Sequence, residues 1–119
     1  MSAASANRPS GFWIIEGFLS NELREEFLRR YIEKIRQLVE LHRRDELPTE
    51  RSLRKMLSDL AKLCEECWAR YGYFVLGRDY WNAYRTKFRL VIYIAHALAI
   101  MDFLEALEEV RCREQAQNE

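Results

Sequence analysis

Large apolar side chains recur at steps of three and four along most of this chain, and short polar or glycine-containing breaks separate the runs. The first run is Leu23, Phe27, Tyr31, Ile35, Leu38 and His42, with Leu28, Ile32 and Val39 widening the stripe. That spacing marks one face of a helix. With Ser20 as its cap, the helix is expected from about Asn21 to Arg44. The second run follows the turn Asp45-Glu46-Leu47-Pro48 and comprises Leu53, Met56, Leu57, Leu60, Leu63, Cys64, Cys67, Trp68 and Tyr71. Thr49 caps it, and a helix is expected over about Glu50 to Arg70. So short a turn predicts that these two helices form an antiparallel hairpin.

Residues 71–78 read as a bend bracketed by Gly72 and Gly77. From Asp79 to Arg113 no Gly or Pro interrupts the chain, which predicts one helix roughly 50 Å long at 1.5 Å per residue. Its first third is aromatic and basic, its middle apolar all round, and its last third acidic. Ahead of these elements lies an arm, residues 1–19. Residues 1–11 are small and polar, whereas residues 12–19 read FWIIEGFL. The six large apolar residues there are Phe12, Trp13, Ile14, Ile15, Phe18 and Leu19. They either fold back as a lid or dock on a neighbouring subunit, and we take them as a candidate subunit interface. The expected fold is therefore all-α: a helical hairpin, one long C-terminal helix and an extended N-terminal arm. Residues 20–119 form a single domain.

Composition sharpens this picture in two places. The chain has 119 residues, few glycines and prolines, and enough apolar content to bury a core without metal staples. Net charge is zero, so the whole molecule is no polyanion trap, but the charges are segregated. Arg78, Arg85, Lys87 and Arg89 face only Asp79 in their segment, whereas residues 102–119 carry six acids against Arg111 and Arg113. The first residues hold no apolar stretch of signal-peptide length. The uncharged run 90–101 is twelve residues long, short for a bilayer, so no transmembrane segment is expected.

Candidate chemistry is sparse. Cys64 and Cys67 form a C-x-x-C in mid-helix rather than at a helix start after a strand, so they read as packed thiols. A zinc site would need ligands beyond Cys112, His42 and His96, whose spacing is unrelated. No glycine-rich phosphate loop or paired-histidine motif is present, and we assign no catalytic residue, metal or cofactor. The charges of the first helix alternate through Arg29, Glu33, Arg36, Glu40 and Arg43, the pattern of a solvated, self-paired face. The start of the long helix differs. Arg78, Asn82, Arg85 and Arg89 fall at steps of four, three and four, Tyr80, Trp81, Tyr84 and Phe88 interleave, and Lys87 flanks them. Arginines on phosphates with aromatics on sugars or bases make a nucleic-acid-binding face.

The small helical chain, the apolar arm, the basic helix face and the lack of catalytic residues together resemble coat proteins of filamentous viruses of hyperthermophilic archaea, the tristromavirus group in particular. The resemblance is one of overall design rather than of a motif. It implies a virion protein that pairs with a related chain and wraps double-stranded DNA in a helical nucleocapsid. Two other classes fit the same composition: a small helical subunit of an RNA-guided effector complex, and a homodimeric helical adaptor without nucleic acid.

Overall fold

The computed structural model describes residues 21–118. Regular structure among them is α-helical throughout: α1 is Asn21–Arg43, α2 is Glu50–Leu76 and α3 is Tyr80–Asn118. The all-α class and the long C-terminal helix are as expected. The arm, with its candidate interface residues Phe12, Trp13, Ile14, Ile15, Phe18 and Leu19, and the cap Ser20 lie outside the described residues.

Side-chain caps explain where α2 and α3 begin. Thr49 Oγ1 accepts from the Ser52 amide at 3.1 Å. Asp79 Oδ1 accepts from the Asn82 amide at 3.3 Å, and the Asp79 carbonyl accepts from Ala83 at 3.0 Å. Such caps satisfy amides that the first helical turn leaves unpaired. The expected end of α2 was six residues too early. The helix runs through Gly72 to Leu76, and Gly77 donates to the Tyr73 carbonyl at 3.0 Å. One interior glycine costs a helix only about 1 kcal/mol, which the half-buried Tyr71 and Phe74 on the same segment offset. The turn into α3 is completed by Arg78, which sits in the left-handed region at φ 59°.

The pairing of helices departs from the expected hairpin. The turn after α1 does reverse the chain, but α1 and α2 each pack along α3 rather than along one another. Leu23 and Phe27 of α1 meet Val91 and Ala95. Further along, Leu38 of α1 and Leu53 of α2 join Ile100, Phe103 and Leu104 in a second cluster. Thus α1 runs parallel to α3 and α2 antiparallel to it. The reason is written in α3. Its middle is apolar all round, so it has two sides to bury, whereas α1 and α2 have one each. By length and composition α3 is also apolar enough to cross a membrane.

The apolar stripes of α1 and α2 are broader than the surface they bury. Leu28, Ile32 and Val39, which widen the first stripe, are 50%, 44% and 50% exposed. Met56, Leu63 and Trp68 on the second are also exposed. The molecule is elongated, 61 × 37 × 22 Å, with a radius of gyration of 16.9 Å. A compact domain of this length has about 13 to 14 Å.

Candidate nucleic-acid interface

The antiparallel α2–α3 pair brings the C-terminal end of α2 beside the N-terminal end of α3. One shallow cavity of about 320 Å³ is lined there by Arg70, Phe74, Asn82, Arg85, Thr86 and Arg89. A second, of about 490 Å³, opens on the adjoining face of α3 between Trp81, Tyr84, Arg85, Phe88, Arg89 and Ile92. Arg85 and Arg89 therefore stand on the ridge between two depressions, one basic and one aromatic. Trp81 is 71% exposed, and Tyr73, Tyr80 and Tyr84 are exposed at the same end of the molecule.

The charges at this end contrast with those along much of α1. On α1, Arg29 and Arg30 pair with Glu26 at 2.6 and 2.8 Å, and Arg43 and Arg44 pair with Glu40 at 2.9 and 3.0 Å. The Arg29 and Arg30 guanidiniums hold the Glu26 carboxyl below the usual carboxylate range by hydrogen bonding. The self-paired face read from α1 is there, although Arg36 makes no ion pair among the described residues. None of Arg70, Arg78, Arg85 and Arg89 makes an ion pair among the described residues. These four guanidiniums, with Asp79 beside Arg78, leave an excess of positive charge at one end of a neutral molecule.

Not every residue of the sequence pattern joins the face. Lys87 stands two residues from Arg85 and so points to the other side of α3. It is half-buried, and burial pushes its ammonium below the ordinary lysine value. The Asn82 amide lines the basic cavity, but its Nδ2 donates to Asp79 Oδ2 at 2.7 Å. It completes the helix cap as well as facing the site. Arg78 stands in the exposed turn before α3, in a backbone region that costs a non-glycine residue on the order of 1 kcal/mol. Arg70 was missed by the sequence reading because it belongs to the other helix. The signal for it was the antiparallel α2–α3 pairing, which places the end of α2 opposite the start of α3.

Elsewhere, Cys64, Cys67 and His96 are partly or fully buried groups with shifted pKa values. Cys64, Cys67 and Cys112 are free thiols. Burial pushes Cys64 up to about 11 and Cys67 upward, away from thiolate chemistry. His96 is half-buried on α3, and burial, followed by Lys34 and Arg30, lowers its pKa. No group of metal-ligating side chains gathers among the described residues. The arrangement that stands out is thus an open, arginine-bearing helix end with aromatic walls, suited to bidentate phosphate contacts and ring stacking. Comparison with known protein families, characterised proteins and solved structures returned no match.

Proposed function

We propose that this chain is a structural protein that assembles with copies of itself or with a related helical chain and packages nucleic acid through its phosphate backbone. The observation that carries this reading is the pair Arg85 and Arg89 on the ridge between two depressions, one holding Arg70 and the other walled by Trp81, Tyr84 and Phe88, with Arg78 in the turn nearby and none of the four in an ion pair among the described residues. Phosphate contacts of this type bind without reading sequence. Double-stranded DNA as cargo and a place in the virion follow from the resemblance to filamentous-virus coat proteins. No catalytic residue or cofactor belongs to this reading. It takes α3 as the central helix of a packed domain, not as a membrane span, because α1 and α2 cover two of its sides.

Binding of a DNA duplex and of a single-stranded RNA, measured against salt, tests it. Arg85→Glu with Arg89→Glu is expected to weaken binding at least about tenfold and to lower the log–log salt slope by about two. Arg29→Glu with Arg30→Glu removes two arginines already paired on α1 and should change both far less. Equal effects from the two pairs would show that the basic end is ordinary surface. Assembly with no salt-sensitive binding would favour the adaptor class. Binding only within a complex of fixed stoichiometry would favour an effector subunit.

A further inference from the structure

A larger groove lies away from the basic end. It runs between α2 and α3, holds about 1050 Å³, and has Leu57, Ala61, Ala97, Met101 and Leu104 as its floor. Its α3 rim is acidic, with Glu105, Glu108 and Glu109. Met101 is 48% exposed, and the two alanines let a neighbouring helix approach closely. From Ala97 to Arg113 the α3 wall is about 24 Å long.

A matching surface exists on the same chain. Leu28, Ile32 and Val39 form an exposed apolar stripe on α1, about 16 Å from end to end. It is shorter than the α3 wall of the groove. Each of the three has an arginine one turn away: Arg24 beside Leu28, Arg36 beside Ile32 and Arg43 beside Val39. Arg24 and Arg36 make no ion pair among the described residues, nor does Glu25, three residues before Leu28. On the groove rim the same is true of Glu105 and Glu109, and of Arg113 one turn further along α3. Glu108 reaches only Arg111, at 3.8 Å, and Arg54 is held by Glu50 at 2.8 Å. The charges left over are thus mainly cationic on the stripe and mainly anionic on the groove.

We propose that the α1 stripe of one copy seats in the α2–α3 groove of the next. The acidic rim repels a phosphate backbone and attracts this arginine-flanked helix, so the occupant is a second copy of the chain rather than nucleic acid. Stripe and groove are different patches, so the contact is heterologous and propagates as an open chain or a ring. It rests on the assembly reading above and specifies the surface that would carry it.

Sedimentation velocity on nuclease-treated protein over a range of concentrations tests the contact. Wild type should form species larger than dimers. Ile32→Glu destroys the stripe and leaves the groove; Met101→Glu destroys the groove and leaves the stripe. Each alone should be monomeric with unchanged helicity, since both positions are more than 40% exposed. Mixed in equal amounts, they retain one intact stripe and one intact groove, and should form a 1:1 dimer and nothing larger. A mixture that stays monomeric, or a single variant that still assembles like wild type, overturns the proposal. The latter is also the outcome if residues 12–19 of the chain's own arm fill the groove. If a glutamate variant loses helicity, the charge exchange Arg36→Glu mixed with Glu105→Arg replaces it, with restored association expected only in the mixture. Both variants keep Arg85 and Arg89, so their salt-sensitive nucleic-acid binding reads the packaging proposal independently of this contact.

Discussion

Tyr31 ties α1 to α3 by donating its hydroxyl to the Asp102 carboxylate. Burial first, and this hydrogen bond second, push its pKa from 10.0 up to about 12. The folded state therefore holds the phenol proton more tightly than the unfolded chain does. The corresponding stability is complete below about pH 10 and is lost as pH rises towards 12. Tyr31→Phe should cost about 1 kcal/mol at neutral pH, because Asp102 is exposed and water takes over its free oxygen. Urea midpoints at about pH 8 and about pH 11 should show the gap between wild type and variant narrowing on the alkaline side. A gap that stays constant would show that the bond does not couple to the phenol proton. At this scale the sequence was informative where a side chain acts within its own helix. Arg85 and Arg89 could be placed on one face from their spacing alone. Asn82 was assigned to phosphate without seeing that Asp79, three residues earlier, engages its amide. Tyr31 with Asp102, 71 positions apart, leaves no local trace.

The elements were legible at their starts and less so at their ends. Thr49 and Asp79 announce helix starts through side-chain chemistry that a sequence displays directly. A glycine is ambiguous, because it both terminates helices and is tolerated inside them at a modest cost. Gly72 is of the second kind: a β-carbon built there meets nothing within 4 Å, and its φ is not positive. Gly72→Ala should therefore stabilise α2 by about 1 kcal/mol, through backbone entropy alone. Thermal unfolding should shift upward by about 4 to 6 °C. A downward shift would mean that the end of α2 needs the glycine's freedom, and that the bend read from residues 71–78 is real in solution. Helix pairing was misread for a different reason. A short turn settles direction, and α1 and α2 do run opposite ways. Contact is settled by which surfaces are apolar, and α3 alone offers two sides.

At the scale of the molecule, segregated charge and surplus apolar surface belong together. The basic end, with Arg70, Arg78, Arg85 and Arg89, and the acidic wall of α3, with Glu105, Glu108 and Glu109, are separated along α3, by about 24 Å between Arg89 and Glu105. A polyanion held at the basic end is repelled by the acidic wall, and a neighbouring copy seated over that wall, as proposed, would screen it. The N-terminal arm bears on the same question. Among the described residues both buried clusters are built within α1–α3 or beside them in the turn at Leu47, and the apolar run at residues 12–19 lies outside the helical pattern, so we expect the domain to stand without residues 1–19. Deleting them should leave helicity per residue nearly unchanged and unfolding cooperative, while removing Phe12, Trp13, Ile14, Ile15, Phe18 and Leu19 from assembly. Circular dichroism with light scattering separates the two effects. Intact helicity with smaller particles at matched concentration is expected, because six large apolar side chains contribute far more to an interface than the polar residues 1–11. Loss of cooperative unfolding would assign the arm to the domain's own core, and would leave the stripe on α1 and the groove beside α3 as the contact left to build a polymer.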